Sequence, residues 1–194
     1  MQEKEFRNIP LNIVSKDKEN KDELILEGYI NKYNTRSEFM GFFEEIERGA
    51  FNKSIESDAF IPMLYNHDED KILGSTRSGT LKLISDDVGL KFTLKMNPNI
   101  SYTRDVYELI KSGDVKGCSF GFVVNQDEWK TLDNGADLRI IKELTLYEVT
   151  ITPYPAYKDS EVSCRSYNDF IANKEKQEKE ELLKRKLEIE LELI

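Results

Sequence analysis

The sequence predicts a mainly β or α+β domain with a few surrounding helices, followed by a charged C-terminal helix. A closed or partly closed β-barrel is one arrangement of its strands, and a β-sandwich is the other. Two observations predict the strands. Leu90, Phe92 and Leu94 alternate with polar neighbours, and many short apolar runs are separated by turn residues. The third observation is a change near residue 168, after which charged residues and leucines dominate. We therefore divide the chain into a domain at residues 1–167 and a helical tail at residues 168–194.

The predicted strands are runs rich in β-branched and aromatic residues that end at turn-forming residues. In chain order they are Leu24–Ile30, Phe60–Tyr65, Gly79–Ile84, Gly89–Met96, Ser119–Val124 and Leu138–Ile151. The third and fourth are expected to form a hairpin around Ser85–Val88. Around the end of the last strand, we expect Tyr147, Val149 and Ile151 to face the core and Glu148, Thr150 and Thr152 to face away from it.

Helices are predicted between and after these strands. Tyr102–Lys111 carries an apolar face, Ser101 is the expected N-cap, and Gly113 stands just past the end. Further helices are predicted at Ala50–Ile55 and after Pro155, the latter starting near Asp159 or Ser160. The tail, Lys174–Ile194, is predicted as one more helix. Because an isolated helix of this length is marginal in water, we expect it to be solvated or to depend on a partner.

Charge and composition argue against several function classes. The net charge of −9 and the pI near 4.9 are unfavourable for binding phosphates, so no nucleic-acid partner is expected. Met1–Pro10 lacks the apolar stretch of a signal peptide, and no segment is apolar over a bilayer's thickness. Cys118 and Cys164 have neither metal-type nor disulfide-rich spacing. We expect free thiols, a cytoplasmic location and no membrane partner.

The chain contains one histidine, His67, within Tyr65–Asp68. A histidine is the side chain best suited to general base catalysis near neutral pH. On residue type alone, a polar surface turn explains this segment equally well. Metal binding by His67 with Asp68 and Asp70 is a weaker alternative, because no second histidine and no nearby cysteine would complete the ligand set. No metal is therefore expected, and acyl transfer by a serine and a histidine would require no organic cofactor.

Ser119 is the candidate nucleophile, within the segment Lys116–Phe122. Small residues on both sides would leave its oxygen uncrowded and the backbone N–H groups accessible to an oxyanion. A strand bent at glycines is the alternative explanation of this segment. Cys118 is an alternative nucleophile. Because neighbouring residues of a strand point to opposite faces, only one of the two can face His67.

Glu148 is the candidate for a third member that would orient the imidazole. It is a carboxylate within the apolar run Leu146–Thr152, although an exposed strand glutamate would look the same. Asp68 is an alternative orienting residue, but its position next to His67 makes a productive hydrogen bond difficult.

From about Leu24 to Cys164, a series of short motifs resembles the prohead (procapsid) maturation proteases of tailed double-stranded DNA phages. The motifs occur in the family's order: Gly28–Tyr29, Glu45–Phe51, Leu64–Asp68, Ile72–Gly74, Asp87–Leu90, Leu109–Gly113, Gly117–Phe122 and Leu146–Tyr157. The family is similar to the herpesvirus assembly proteases, which implies a β-barrel with surrounding helices. By position, His67 matches the family histidine, Ser119 matches the family serine, and Glu148 lies where the family has a glutamate. Cys118 and Tyr154 depart from the family pattern.

The resemblance implies a serine endopeptidase that acts during procapsid maturation. Its expected substrates are the scaffold protein or the scaffold-like arm of the major capsid protein, and the protease itself. The expected location is the interior of the viral procapsid in the host cytoplasm. A homodimer is compatible with the family, and the tail at residues 168–194 is expected to bind a scaffold or capsid partner or to be removed by self-cleavage.

Two other function classes remain open at this stage. A non-catalytic capsid scaffold or assembly factor would use the same fold for binding, with His67 and Ser119 on unrelated surfaces. An esterase or lipase would need an apolar pocket around Ser119 instead of a groove for an extended peptide.

Overall fold

The computed structural model describes residues 4–10, 14–15, 24–153 and 163–192. The described residues form mostly strands, together with three helices. The strands are β1 (Glu5–Pro10), β2 (Val14–Ser15), β3 (Leu24–Lys32), β4 (Phe43–Ile46), β5 (Pro62–Tyr65), β6 (Asp68–Ser75), β7 (Leu81–Ser85), β8 (Gly89–Met96), β9 (Gly117–Thr131) and β10 (Asp137–Thr152). The helices are α1 (Asn52–Glu56), α2 (Ser101–Ser112) and α3 (Ser163–Glu192).

The strands belong to two sheets. The larger has the order β1-β9-β10-β5-β6, and β4 also pairs with β10; the smaller has the order β2-β3-β8-β7. The prediction of a mainly β fold with a few helices is confirmed. The predicted closed barrel is not found among the described residues, because β1 and β6 end the path of the larger sheet without pairing with a strand of the smaller one.

Both sheets contribute side chains to one apolar core. Leu26 and Phe92 come from the smaller sheet, and Phe120 and Val149 come from the larger. All four are fully buried. Burying a side chain of this size contributes about 1.5–3 kcal/mol. The alternation of β8 follows the predicted period of two, with Leu90, Phe92 and Leu94 inside.

Helix α2 ends as predicted and begins differently. Gly113 follows the helix with a φ of 85°, and its N–H is bonded to the carbonyls of Ile110 and Leu109. The predicted N-cap, Ser101, is instead the first helical residue, and Ile100 is the cap. The side-chain hydrogen bonds at this end come from Thr103. Its hydroxyl lies 2.6 Å from the carbonyl oxygen of Asn97 and 2.7 Å from that of Ile100.

Helix α3 is longer than the predicted tail helix. It begins at Ser163, eleven residues before Lys174, because no glycine or proline interrupts this segment. Its apolar side chains Leu182, Leu183 and Leu187 are all more than half exposed. The chain divides into the units Met1–Asp159 and Ser160–Ile194, and α3 lies in the second. The predicted helix start at Asp159 or Ser160 lies outside the described residues.

A buried cluster of charges attaches β1 to the larger sheet. Arg7 of β1 forms two hydrogen bonds with Glu44 of β4, at 2.6 and 2.8 Å, and one with Glu5 at 2.6 Å. Arg139 of β10 donates to Glu5 at 2.9 Å and to Asp127 at 2.7 Å. Burial alone raises the pKa of Glu44, but Arg7 and Arg139 outweigh burial and lower that pKa below its ordinary value. Glu44 is therefore held as a carboxylate.

Candidate active site

The two candidate nucleophiles, Cys118 and Ser119, point to opposite faces of strand β9. Cys118 and Phe120 point into the apolar core, and Ser119 and Gly121 point to the opposite face. Burial raises the pKa of the Cys118 thiol to about 12. Because the thiolate is the nucleophilic form of cysteine, a buried thiol with this pKa is inert. The geometry therefore favours Ser119 over Cys118.

A β-bulge in β10 places Glu148 on the same face as Ser119. Leu146 pairs with Phe122 and points into the core, whereas Glu148 pairs with Gly121, so Tyr147 is the extra residue on β10. In a regular register, Tyr147 would pair with Gly121 and Glu148 would stand opposite Phe120 on the core side. The prediction that Tyr147 faces the core is wrong, since it lies in the bulge and is 41% exposed. The predicted directions of Glu148 and Thr150 agree with the register, in which Thr150 stands opposite Ser119.

His67 lies in the two-residue turn between β5 and β6. Both turn residues have positive φ, 55° at Asn66 and 58° at His67, as a type I′ hairpin requires. The turn is fixed to the end of β10. Asn66 donates its N–H to the carbonyl of Ile151 at 2.9 Å, and its side-chain oxygen accepts from the Thr152 hydroxyl at 3.2 Å. These bonds hold His67 beside β10.

The imidazole of His67 is hydrogen-bonded to Glu148, with 2.5 Å between Nδ1 and Oε1. The other carboxylate oxygen of Glu148 accepts from the Thr150 hydroxyl at 2.7 Å. Because an ionised carboxylate can only accept, Nδ1 of His67 must carry the proton. In the neutral imidazole, Nε2 is then an acceptor, which is the tautomer that a general base needs.

Phe6 of β1 covers the other side of His67. The two rings meet edge to face, with centroids 5.0 Å apart and planes at 80°. Gly121 lies between Phe6 and Glu148: a Cβ at this position would come within 2.9 Å of Phe6 and 3.1 Å of Glu148. The absent side chain of Gly121 thus lets the two groups that contact His67 approach each other, on the face that carries Ser119.

Ser119 is completely buried. Its hydroxyl oxygen has no hydrogen-bond partner among the described residues, and β1 pairs directly beside it, with Asn8 opposite Ser119. A buried hydroxyl without a partner is unfavourable by about 1–3 kcal/mol, so its presence calls for an explanation. The structure brings His67 and Glu148 into contact and places Ser119 on the same face, but it does not form a hydrogen bond between Ser119 and His67.

The alternative roles receive no geometric support. Asp68 does not orient His67: one of its oxygens accepts from the N–H of Asp70, and the other lies 3.4 Å from Lys71 Nζ. In the part of the chain that the structure describes, no group of three His, Cys, Asp or Glu side chains could hold a metal ion. Among the described helices, none is long and apolar enough to cross a membrane. The cavity lined by Ile55, Ile61 and Leu83 includes none of the three candidate site residues.

Sequence reasoning missed four contributors to this site: Phe6, Asn66, Gly121 and Thr150. The pairing of Phe6 with His67 depends on the position of β1, which no local pattern predicts. The sequence identified Gly121 only as a small residue near Ser119. Asn66 itself was the one detectable signal, since asparagine and histidine adopt positive φ more often than other non-glycine residues.

Comparison with known proteins gives two matches. The profile of the caudovirus prohead serine protease family matches residues 11–175, which is most of the chain. A prohead protease of Escherichia phage T5 is 33% identical over 98 residues, or 50% of this chain and 42% of that protein. The matched segment thus spans less than half of that relative. Among solved structures, none matches the chain.

Proposed function

The chain belongs to the caudovirus prohead serine protease family, and from this premise we propose that it is a serine endopeptidase with Ser119 as nucleophile, His67 as general base and Glu148 as the residue that orients His67. Family membership confirms the resemblance that the ordered motifs predict, and the description of the family as serine proteases supports the proposed enzyme class. The site residues are our proposal.

The observation that carries the assignment is the hydrogen bond between His67 and Glu148. It sets the tautomer of the chain's only histidine, and it lies on the face where Ser119 projects from the neighbouring strand. A carboxylate, an imidazole and a hydroxyl in this order form the catalytic triad of serine hydrolases. A surface histidine unrelated to Ser119 would not explain why Glu148 bonds to this ring while Thr150 holds Glu148 and Asn66 fixes the turn to β10.

The proposed reaction is acyl transfer to water. Ser119 Oγ attacks the carbonyl carbon of the scissile peptide bond while Nε2 of His67 takes the hydroxyl proton. The C–N bond then breaks, and the imidazolium gives its proton to the leaving amine. Water, deprotonated by His67, releases the acyl group and restores Ser119. Glu148 stabilises the imidazolium in both halves of the reaction, and backbone N–H groups near Ser119 bind the oxyanion.

We propose the scaffold protein or the scaffold-like arm of the major capsid protein as substrate, with the protease itself as a second substrate. The site of action is the interior of the procapsid within the host cytoplasm. The family description and the name of the phage T5 relative support this assignment. In addition to the protease domain at residues 1–167, the tail at residues 168–194 then binds a scaffold or capsid partner or is removed by self-cleavage. We also propose that the protease forms a homodimer.

Co-expression with the phage's own capsid and scaffold proteins tests the function. Mass spectrometry of the products identifies any bond that is cut. We expect cleavage by the unmodified protein and by Cys118→Ala, and none by Ser119→Ala. Full cleavage by Ser119→Ala would refute the assignment of Ser119. A capsid that assembles with this protein present but uncut would favour the alternative, a non-catalytic scaffold or assembly factor.

A further inference from the structure

Strand β1 occupies the edge of β9 that carries Ser119. The two strands pair antiparallel along their full overlap, from Glu5 opposite Phe122 to Pro10 opposite Gly117, and Ser119 lies in the middle of this stretch. β1 is the edge strand of its sheet. Its backbone therefore forms hydrogen bonds with N–H and C=O groups of β9 that could otherwise pair with an added strand.

The same strand lies directly beside the buried Ser119. Ser119 is fully buried although its hydroxyl has no partner among the described residues, and Phe6 stacks against His67 over Gly121. A peptide carbonyl cannot reach Ser119 Oγ while β1 remains in this position. An enzyme with this triad therefore needs a second arrangement in which the edge of β9 is free.

We propose that this edge of β9, residues 117–122, is the binding surface for the substrate, an extended peptide that adds as an antiparallel strand, and that β1 occupies it as an internal competitor. The inference rests on the proposed function, because it supplies the access that Ser119 needs as a nucleophile. Release of β1 uncovers Ser119, moves Phe6 away from His67, and frees backbone N–H groups of β9 to pair with the peptide.

The contacts of β1 are suited to reversible release. On the side opposite Phe6, β1 is held by charges, namely Arg7 with Glu44 and Glu5 with Arg139. In a buried ion pair, the loss of water around the two charges offsets much of their attraction. Returning these charges to water when β1 is released is therefore less unfavourable than the short distances suggest. When β1 leaves, Arg139 keeps Glu44 and Asp127 as partners, so no buried charge remains isolated on the sheet.

A disulfide that locks β1 onto β9 tests the proposal. Ile9 stands opposite Cys118 in the register, and directly opposed residues of antiparallel strands lie within disulfide range. The variant Ile9→Cys, in a Cys164→Ser background, is refolded from urea under oxidising or reducing conditions, so that the Cys118 thiol is accessible while the disulfide forms. It is then treated with a fluorophosphonate, which bonds to Ser119 with loss of fluoride. Cys164→Ser alone, under both conditions, is the control.

We expect labelling of Ser119 to be lost on oxidation of Ile9→Cys and restored by dithiothreitol, while the control is labelled equally in both states. Equal labelling of the oxidised and reduced variant would overturn the proposal and leave the proposed function intact. Absence of labelling in every protein, together with no cleavage of capsid or scaffold, would refute the proposed function as well. A thiol pair that does not close would contradict the pairing on which the proposal stands.

A second comparison does not depend on the disulfide. Phe6→Ala removes the ring that covers His67, and Phe60→Ala removes a ring of nearly equal exposure, 40% against 42%, that stacks on Arg77 instead. We expect faster labelling of Ser119 in Phe6→Ala than in Phe60→Ala. Equal rates in the two variants would count against the covering role of β1.

Discussion

The imidazole of His67 and the carboxylate of Glu148 meet at 2.5 Å although 81 positions separate them in the chain. Two local features produce this contact: a hairpin turn with two positive φ values and a β-bulge at Tyr147. Each feature redirects one partner, because the turn lifts His67 beside β10 and the bulge turns Glu148 away from the core. The contact between His67 and Glu148 thus depends on one tight turn and one β-bulge, and not on the regular pairing of the strands.

Replacing Glu148 with glutamine tests the role of this contact. An amide can donate to Nδ1 of His67 and so favour the tautomer with the proton on Nε2, which cannot act as base. In the serine protease triad, the analogous change lowers kcat by about 10⁴-fold. We expect Glu148→Gln to lose kcat with little change in KM, measured by peptide cleavage. Glu143→Gln, on the same strand but paired with Lys53, is the matched control and should retain activity.

The Thr150 hydroxyl is expected to hold Glu148 in position without taking part in the reaction. It donates to Glu148 Oε2 at 2.7 Å, and hydrogen bonds to charged groups are worth about 1.5–3 kcal/mol. We expect Thr150→Val to lower kcat by about tenfold, since 1.4 kcal/mol corresponds to a factor of ten. Thr150→Ser keeps the hydroxyl and should recover most of the rate. A Thr150→Val variant with an unchanged rate would contradict the role of the hydrogen bond, and a loss in Thr150→Ser alone would mean that packing of the methyl group is what matters.

Asn66 is expected to stabilise the turn that carries His67 through its backbone conformation. At a φ of 55°, a residue with a Cβ other than Asn or Asp is unfavourable by about 1–2 kcal/mol. We expect Asn66→Ala to lower the free energy of unfolding, and Asn66→Gly to lower it less, because glycine accepts this φ and loses only the bond to Thr152. Urea denaturation followed by circular dichroism measures both. A glycine variant less stable than the alanine variant would contradict the strained turn.

The regular part of the fold could be predicted from sequence because it depends on local periodicity. The alternation at Leu90, Phe92 and Leu94 fixes which face of β8 is buried, and the glycine after α2 marks the end of that helix. The candidate residues His67, Ser119 and Glu148 followed from motifs in a known order. For each of them, sequence supplied the residue type and the structure supplied the direction of the side chain.

The rest depends on contacts between distant segments. A bulge cannot be inferred from β10 alone, because only pairing with β9 shows that Tyr147 is the extra residue; a strict period of two therefore put Tyr147 in the core. Phe6 and Arg7 were unremarkable in a charged segment, and their roles appear only when β1 pairs with β9. The number of short strands allowed a barrel or a sandwich, and the family resemblance implied the barrel; neither specifies which edges pair.

The charge cluster behind β1 predicts how stability depends on pH. The pKa of Glu44 is lowered from its ordinary value of 4.5, so its pairing with Arg7 and Arg139 stabilises the fold above pH 4.5 and is lost as pH falls below that value. We expect Glu44→Gln to reduce the free energy of unfolding at pH 7 by about 3–5 kcal/mol, the usual effect of removing one partner of a buried ion pair. The difference from the unmodified protein should shrink in urea titrations below pH 4.5, where the carboxylate becomes protonated.

Glu45→Gln is the neighbouring control: its partner Arg36 is half exposed, so the loss in the free energy of unfolding should be about 0–1 kcal/mol. A deficit for Glu44→Gln that stays constant down to acid pH would show that Glu44 contributes through packing and not through charge.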